Sequence, residues 1–261
     1  MTSFAFTKMH ALGNDFIVIN NLTLNMDKNP STIARLGNRH LGIGFDQALL
    51  IEPSTRADFF CCILNTDGSE AEQCGNGLRC VALYLKMKKL HTHPTLTIET
   101  RAGVFPIRFC DDGDINITLG KPQSSVKSLN LTVGNHPFLA HTVSMGNPHC
   151  LIQGQVERAS TIGEALNHQH PAFPEGVNVG FMTIVNPHHV RLQTFERGVG
   201  FTNACGSNAA AAAIVGITEG VLRSPVTVEF RYGSLNIAWD GEGQPVVMQG
   251  PASFVFEGML I

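Results

Sequence analysis

The sequence contains no apolar run that approaches the roughly 18 residues needed by a membrane-spanning helix. Its first ten residues, MTSFAFTKMH, also lack the charged segment followed by an apolar segment that marks a secretory leader. These two absences predict a soluble, cytoplasmic protein with no membrane partner.

Positive charge is also in short supply. The 18 Lys and Arg residues are outnumbered by 21 Asp and Glu residues, and the net charge is -3. Because a nucleic-acid backbone is normally bound through a basic surface, we expect no nucleic-acid partner.

The cysteines form neither a disulfide framework nor a zinc motif. There are seven of them, an odd number, in a chain too long to be a disulfide scaffold. Cys74 and Cys80 do not match the CxxC spacing of many zinc sites, because five residues lie between them. We therefore expect no metal centre at these thiols.

Instead, the chain repeats its landmarks at an offset of about 130 residues. Each copy has a Gly-Asn pair before an apolar run, then an amide residue, and then a Cys-Gly pair. The matching residues are Gly13-Asn14 and Gly146-Asn147, Gln47 and Asn178, and Cys74-Gly75 and Cys205-Gly206. Several landmarks in one order at a nearly constant offset indicate an internal duplication.

The duplication predicts an α+β protein of two pseudo-symmetric units. We expect residues 1–122 and 123–252 to form them, joined near residues 121–135. In each unit, β-type runs surround one helix, expected at Leu78–Lys89 and from about Ser207 to Gly220. The alanine run at residues 209–213 would let the second helix lie close to strands on several sides. We predict a β-sheet or barrel wrapped around each helix, with the active site in the cleft between the units.

Each Cys-Gly pair lies where a strand-like segment gives way to a helix, as in EQCGNGLRC (Glu72 to Cys80). The N-terminus of a helix stabilises a thiolate, and the neighbouring glycines leave backbone N–H groups open to a carboxylate. For Cys74 alone, a structural role is an equally good interpretation. Two such cysteines suit a different chemistry, in which one removes a proton from a carbon and the other returns one to the opposite face. That reaction inverts a stereocentre, and the thiols would titrate as a coupled pair.

Other polar residues could complete such a site. His149 and Glu196 are the ionisable residues that we expect nearest to the cysteines, although a surface histidine and a solvated Glu196–Arg197 pair are alternatives. Five amides end apolar runs, where they could be turn residues or ligands. They are Asn14, Gln47, Asn65, Asn147 and Asn178.

Several motifs closely resemble those of the diaminopimelate epimerase family. NTDGSEAEQCGNGLRC (Asn65 to Cys80) keeps every fixed position of the signature N-x-D-G-S-x4-C-G-N-G-x-R. ERGVGFTNACGS (Glu196 to Ser207) is similar to the other cysteine segment of that family. MHALGNDF, GFDQ, MGNPH and EGVNVGF follow in the order of the family, so the resemblance spans the chain.

The resemblance implies specific roles for these residues. Cys74 and Cys205 would be the acid–base pair that interconverts LL- and meso-diaminopimelate without a cofactor, and His149 and Glu196 would adjust their pKa values. The fold would be that of the family, with residues 253–261 completing the first domain, and a homodimer is expected. Substrate contacts are implied for Asn14, Gln47, Asn65, Gly75, Asn76, Asn147, Asn178, Glu196, Arg197, Gly206 and Ser207.

Three positions depart from the family pattern. Asn208 replaces a glycine and could crowd the start of the second helix. Phe201 replaces a residue that is commonly polar. Phe256 stands where many members have a tyrosine associated with dimer contacts, which weakens the expectation of a homodimer.

Three other functions stay open. An amino-acid racemase of the proline racemase type would share the architecture, although proline has no distal charged end for Glu196 and Arg197 to recognise. A cysteine hydrolase would pair one thiolate with His149 but would leave the second Cys-Gly unexplained. A metal-binding module could use His168, His170, His188 and His189, but these lie in polar, loop-like stretches.

Overall fold

The computed structural model describes residues 3–168 and 170–260, which divide into two compact units. The first unit comprises the described residues up to Thr118 together with those from Gly250 onward. The second unit is Leu119–Gln249.

The elements follow in chain order. In the first part of the chain they are β1 (Phe4–Ala11), β2 (Asn14–Asn20), α1 (Pro30–Gly37), β3 (Gln47–Glu52), β4 (Phe59–Asn65), β5 (Glu70–Ala71), α2 (Gly75–Met87), β6 (Thr95–Thr100), β7 (Gly103–Phe109) and β8 (Ile115–Gly120). They continue with β9 (Lys127–Val133), β10 (His136–Ser144), β11 (Pro148–Gln153), a 3-10 turn (Val156–Arg158), α3 (Ala159–Asn167), β12 (Asn178–Asn186), β13 (His189–Glu196), β14 (Gly200–Thr202), α4 (Gly206–Thr218), β15 (Val226–Phe230), β16 (Gly233–Ala238), β17 (Val246–Gly250) and β18 (Ser253–Leu260).

The two units pair their strands in the same way. In the first unit the hydrogen-bonded order is β18-β1-β2-β3-β4-β6-β7-β8, with β5 also on β4. In the second unit it is β9-β10-β11-β12-β13-β15-β16-β17, with β14 also on β13. The parallel pairs also correspond, since β2–β3 and β4–β6 match β11–β12 and β13–β15. The predicted duplication is therefore confirmed, and β18 has in the first unit the place that β9 has in the second.

Each unit has a central helix that begins directly after a cysteine. Helix α2 packs against β1, β2, β3, β4 and β18, and α4 packs against β10, β11, β12, β13, β15 and β16. Residues 208–216 of α4 are all buried, including the whole alanine run. A methyl side chain allows strands to approach the helix on several sides, as the sequence predicted. Among the described residues, no helix is long and apolar enough to cross a bilayer.

The sheets also carry shorter helices, α1 and α3, which the sequence did not predict. In the first unit, Ile33 and Leu36 of α1 share a core cluster with Ile17 and Ile19 of β2. Adjacent side chains of a strand point to opposite faces, and every residue from Phe16 to Ile19 is buried. Both faces of the sheet are therefore covered, which explains the continuous apolar runs. Helix α3 belongs in the same way to a cluster of the second unit.

Two boundaries differ from the sequence predictions. Helix α2 begins at Gly75 rather than Leu78, because the side chain of Cys74 caps its first turn, and it ends at Met87, before Lys89 turns to a φ of 55°. Residues 121–135 were expected only to join the two units, but they include strand β9, which buries Leu131 and Val133 and pairs with β10.

The tight packing around α4 can be tested with Ala211→Leu. Ala211 is fully buried, and overpacking of a dense core typically costs about 1–3 kcal/mol. We expect the free energy of unfolding, measured by urea denaturation, to fall by that amount or more. The control is Ala34→Leu, on the exposed side of α1, which should change it by less than about 0.5 kcal/mol. An equal effect of both substitutions would contradict this packing.

Candidate active site

Cys74 is the residue at which the backbone enters helix α2. Its backbone is extended, with φ of -150°, and its sulfur accepts a hydrogen bond from the N–H of Gly77 at 3.4 Å. The first N–H groups of a helix have no partner within the helix, and the sulfur serves one of them. A donor aimed at sulfur, together with the positive end of the helix dipole, stabilises negative charge on that atom.

The β1–β2 hairpin brings Asn14 to this sulfur. Leu12 and Gly13 have φ values of 55° and 83°, which turn the chain sharply before β2 begins. The Asn14 side-chain oxygen then lies 3.9 Å from Cys74 Sγ and accepts a hydrogen bond from Asn76 Nδ2 at 3.3 Å. Asn14 thus contacts two other predicted site residues, Cys74 and Asn76.

Gln47 and Asn65 form a second polar group in the first unit. They face each other on β3 and β4, and Gln47 Nε2 donates to Asn65 Oδ1 at 2.8 Å. Asn65 Nδ2 in turn donates to Ser69 Oγ at 3.0 Å. Gln47 Oε1 is buried and accepts no hydrogen bond within the described residues. This oxygen is therefore available to a donor on a ligand.

Cys205 occupies the matching position before α4. Only 8% of the residue is exposed, and its sulfur lies 3.4 Å from Ser207 Oγ. Burial raises the pKa of the Cys205 thiol far above its usual value, and the neighbouring carboxylate of Glu196 raises it further. Cys205 is therefore a protonated thiol at neutral pH.

His149 is joined to Cys205 through Ser207. The ring is fully buried, which lowers the pKa of His149 to about 4, so the imidazole is neutral at physiological pH. Nδ1 lies 2.9 Å from the Asn147 carbonyl oxygen, which can only accept, so Nδ1 carries the proton. Nε2 then accepts from Ser207 Oγ at 3.1 Å. The thiol proton of Cys205 then has two acceptors, the Ser207 oxygen and the Glu196 carboxylate.

Three more predicted residues lie at the ends of two strands, Asn178 at the start of β12 and Glu196 and Arg197 at the end of β13. Glu196 Oε1 accepts from Thr202 Oγ1 at 2.5 Å, and Asn178 Oδ1 accepts from the Arg197 backbone N–H at 3.0 Å. The Arg197 side chain is exposed, and the structure gives its guanidinium no ion pair among the described residues. Asn147 directly precedes β11, and its Oδ1 is buried with no hydrogen-bond partner among the described residues.

Glycine and asparagine are accommodated closely at the two helix starts. A Cβ on Gly206 would lie 2.9 Å from Met248 Sδ, and one on Gly77 would lie 3.0 Å from a Leu49 methyl carbon. Asn208 is fully buried, and its Nδ2 donates to the Val179 carbonyl at 3.1 Å. It fits because Gly180 has no side chain, since a Cβ there would lie 2.8 Å from Asn208 Oδ1. Asn208 therefore does not crowd the start of α4, because Gly180 of β12 leaves room for its side chain.

Two residues near Cys74 were not among the predicted ligands. Arg79, one helical turn after Asn76, donates to Asn76 Oδ1 at 2.7 Å, and Asp46 Oδ2 accepts from Asn14 Nδ2 at 2.8 Å. Both belong to the quoted motifs, and the spacing of three residues between Asn76 and Arg79 was a usable signal. All seven cysteines are free thiols. Within residues 3–168 and 170–260, no three His, Cys, Asp or Glu side chains are grouped to hold a metal ion.

Comparison with known proteins identifies a matching family, a similar curated sequence and structures with the same fold. The family model for diaminopimelate epimerase matches residues 6–125 and 141–255. A diaminopimelate epimerase from Ectopseudomonas mendocina (strain ymp) is 42% identical over an alignment covering 98% of each chain. Among known structures, a Bacillus anthracis phenazine biosynthesis protein of the PhzF family has a TM-score of 0.75 at 16% identity, over 100% of both chains. A hydroxyproline epimerase from Agrobacterium vitis has a TM-score of 0.72 at 16% identity, over 99% of this chain and 92% of that one. These two structures share the fold.

The buried His149 predicts a specific pH dependence of stability. Its pKa is about 4 in the folded protein and near 6.5 when unfolded, so the unfolded state binds the extra proton first as pH falls. Stability should therefore decline from about pH 6.5 to pH 4, by on the order of 3 kcal/mol for this group. Asp15, with a pKa lowered to about 2 because Arg39 and Lys8 outweigh the opposing effect of burial, acts only below this window.

Urea denaturation of His149→Gln at several pH values checks this expectation. The glutamine cannot take up a proton, so the loss of stability between pH 6.5 and pH 4 should become markedly smaller than in the unsubstituted protein. His136→Gln, which changes an exposed histidine, should keep the original slope. If His149→Gln also keeps that slope, His149 is not the group responsible.

Proposed function

The chain belongs to the diaminopimelate epimerase family, and we propose that Cys74 and Cys205 are the two acid–base groups with which it interconverts LL- and meso-diaminopimelate. The observation that carries the proposal is that each cysteine lies at the start of a central helix, one in each half of a duplicated fold. The enzyme is an isomerase, and the roles of individual residues are the part that we propose.

The proposed reaction begins with Cys74 as a thiolate and Cys205 as a thiol. The Cys74 sulfur takes the proton from the α-carbon and becomes a thiol, and the C–H electrons remain on the substrate as a carbanion. Cys205 then gives its proton to the opposite face of that carbon and becomes a thiolate. Neither atoms nor electrons are gained or lost. The scheme requires both sulfur atoms to reach the same carbon.

The environments of the two sulfurs support this assignment. The Gly77 N–H points at Cys74 Sγ, which favours the charged form of a base. Cys205 is buried beside Glu196, which favours the protonated form of an acid. For the reverse reaction the two protonation states exchange, so the thiols titrate as one coupled pair. His149, through Ser207, and Glu196 are proposed to set the proton affinity of Cys205.

The polar groups around the cysteines suit an amino-acid substrate with two charged ends. Gln47 Oε1 and Asn147 Oδ1 are buried acceptors without partners among the described residues, and an ammonium group supplies donors for such oxygens. The exposed guanidinium of Arg197 can bind a carboxylate with two parallel hydrogen bonds. Backbone N–H groups at the helix starts, at Gly75, Asn76, Gly206 and Ser207, would hold the carboxylate of the reacting centre as charge develops on it. We assign Asn65 and Asn178 to the same set of substrate contacts.

A racemase of the proline racemase type is the second candidate function. The hydroxyproline epimerase neighbour shares the fold at 16% identity, so architecture alone does not separate the two. Proline would leave Arg197 without a distal carboxylate. The substrate test below therefore includes proline.

Single cysteine substitutions test the two-thiol scheme. We expect Cys74→Ala and Cys205→Ala each to lower the epimerisation rate by about 10²–10⁴-fold or more, because each removes one general acid–base group. The measurement is conversion of LL-diaminopimelate in D₂O, with deuterium incorporation at the α-carbon followed by NMR. Cys110→Ala, a partly exposed thiol after β7, is the matched control and should retain activity.

Three outcomes would overturn the scheme. Full turnover by either alanine variant would exclude a two-thiol mechanism. Deuterium exchange into proline, without exchange into diaminopimelate, would favour the racemase function. Hydrolysis of an ester or amide without exchange would favour a cysteine hydrolase.

We further propose a homodimer formed through β18. Phe254, Val255, Phe256 and Met259 are 41–61% exposed, and residues 254–257 are exposed consecutively although α2 packs against part of the strand. A contiguous apolar surface of this kind marks an interaction site, and a two-fold contact would let each copy cover the other. A cytoplasmic location is part of the same proposal, because seven free thiols suit a reducing compartment.

Phe256→Lys tests the dimer. A charge placed in the apolar surface should be strongly disfavoured on association, so the variant should sediment as a monomer where the unsubstituted protein sediments as a dimer. Leu139→Lys, at an exposed apolar position of β10, should leave the dimer intact. A monomeric unsubstituted protein at micromolar concentration in analytical ultracentrifugation would refute the proposal.

A further inference from the structure

Four side chains of the first unit form a head-to-tail chain of hydrogen bonds beside Cys74. Arg79 Nη2 donates to Asn76 Oδ1 at 2.7 Å, and Asn76 Nδ2 donates to Asn14 Oδ1 at 3.3 Å. Asn14 Nδ2 then donates to Asp46 Oδ2 at 2.8 Å. Every link runs in the same direction, from a guanidinium to a carboxylate.

The two ends fix the direction of the chain. A guanidinium can only donate and an ionised carboxylate can only accept, whereas an amide does both and can turn over. Arg79 therefore holds the oxygen of Asn76, which leaves the Asn76 nitrogen for Asn14. Asp46 holds the nitrogen of Asn14, which leaves the Asn14 oxygen facing Asn76 and Cys74. If Arg79 or Asp46 were replaced by a neutral side chain, the Asn76 and Asn14 amides would no longer be fixed in one orientation.

Both ends are themselves held in place. Arg79 is completely buried, and its Nε donates to the Pro251 carbonyl at 3.0 Å. Asp46 Oδ1 accepts from Arg39 Nη2 at 2.8 Å, and Asp46 Oδ2 also accepts from the Asp15 backbone N–H at 3.2 Å. A buried guanidinium is costly unless its donors are used, so the Arg79 end is held by its burial, whereas the Asp46 end lies at the surface and is held by Arg39 and a backbone N–H.

We propose that Asp46 and Arg79 are positioning residues, which fix the orientation of the Asn14 and Asn76 amides and thereby present an acceptor oxygen to Cys74. The consequence is chemical, because an acceptor 3.9 Å from Cys74 Sγ stabilises the thiol, whereas an NH₂ group there would stabilise the thiolate. The Gly77 N–H acts in the opposite sense at the same sulfur. The pair of contacts balances the two protonation states that an epimerase thiol must alternate between. This inference rests on the proposed role of Cys74.

Other ionisable groups also act on Cys74, so a test must separate them from the amide. Two further thiols and one guanidinium face it from β4 and α2, namely Cys61, Cys80 and Arg79. A charge cluster lies around the β1–β2 hairpin and consists of Lys8, Asp15, Arg39 and Asp46. Removing any carboxylate of the cluster favours the thiolate to some degree. The test therefore compares two carboxylates, only one of which holds Asn14.

Asp46→Asn is the test variant, and Asp15→Asn is its matched control. Each replaces a carboxylate of the cluster with an amide of the same shape. Asn14 Nδ2 donates to the Asp46 carboxylate, whereas the Asp15 carboxylate binds Lys8 and Arg39. Asp46→Glu is the conservative variant, because it keeps an end that can only accept. The rate of iodoacetamide alkylation at Cys74 is measured against pH on the free enzyme, by mass spectrometry of the peptide that contains it. Turnover of LL-diaminopimelate is measured in parallel.

In Asp46→Asn we expect the midpoint of the alkylation profile to move down by about one pH unit, because the Asn14 nitrogen is free to turn towards the sulfur. We also expect kcat/KM to fall about tenfold, with kcat lowered more than KM is raised, as the balance between thiol and thiolate is lost. Asp15→Asn should move the midpoint much less, and Asp46→Glu should restore most of the original profile.

Three results would overturn the proposal. An unchanged alkylation profile in Asp46→Asn would show that the carboxylate does not orient Asn14. Equal shifts in Asp46→Asn and Asp15→Asn would assign the effect to charge alone. A profile for Asp46→Glu equal to that of Asp46→Asn would exclude an acceptor-only end as the cause. Since alkylation requires no substrate, these results are independent of the Cys74→Ala and Cys205→Ala assays that test the function.

Discussion

Burial of the central helix in each unit is the constraint on which the rest of the structure depends. A helix surrounded by strands hides its sides from solvent, and its unpaired N–H groups are concentrated at its first turn. In this protein a cysteine precedes both first turns, and in the first unit its sulfur takes up one of those N–H groups. The element that organises the core therefore also places a cysteine sulfur next to a set of backbone donors. The start of each central helix therefore belongs both to the packed core and to the surroundings of the cysteine.

The two copies meet this constraint with different side chains. The first places Leu49 close to Gly77, and the second places Met248 close to Gly206, so a Cβ at either glycine would make the neighbouring side chain shift. The sulfur environments differ more strongly. Cys74 is partly exposed and caps its helix, whereas Cys205 is buried, lies beside Glu196 and is linked through Ser207 to a neutral His149. The duplicated fold thus places its two helix-start thiols in unlike surroundings, the first beside a backbone N–H and the second beside a carboxylate.

The departures from the family pattern have local explanations for two of the three residues. Asn208 occupies the space left by Gly180 and binds the Val179 carbonyl, so it ties α4 to β12. Phe201 packs edge-on against Phe195, with ring centroids 5.2 Å apart, so an apolar residue is stabilised at a position that is commonly polar. Phe256 packs edge-on against Phe6, but it stays 46% exposed, and nothing within the first unit explains an aromatic residue there.

The sequence by itself determined the family, the duplication and the presence of one central helix after each Cys-Gly pair, because periodic apolar residues and repeated motifs are local signals. It did not reveal α1 and α3, which are short and bury few side chains. It also did not reveal β9, which lies in the segment that was expected only to join the two units. Only the tertiary structure showed that Arg79 and Asp46 hold the amides of Asn76 and Asn14, that Ser207 connects His149 with Cys205, and that Gly180 makes room for Asn208. These are contacts between residues distant along the chain, or choices of hydrogen-bond direction. They depend on which groups the folded backbone brings together, and this cannot be read from residue spacing along the sequence.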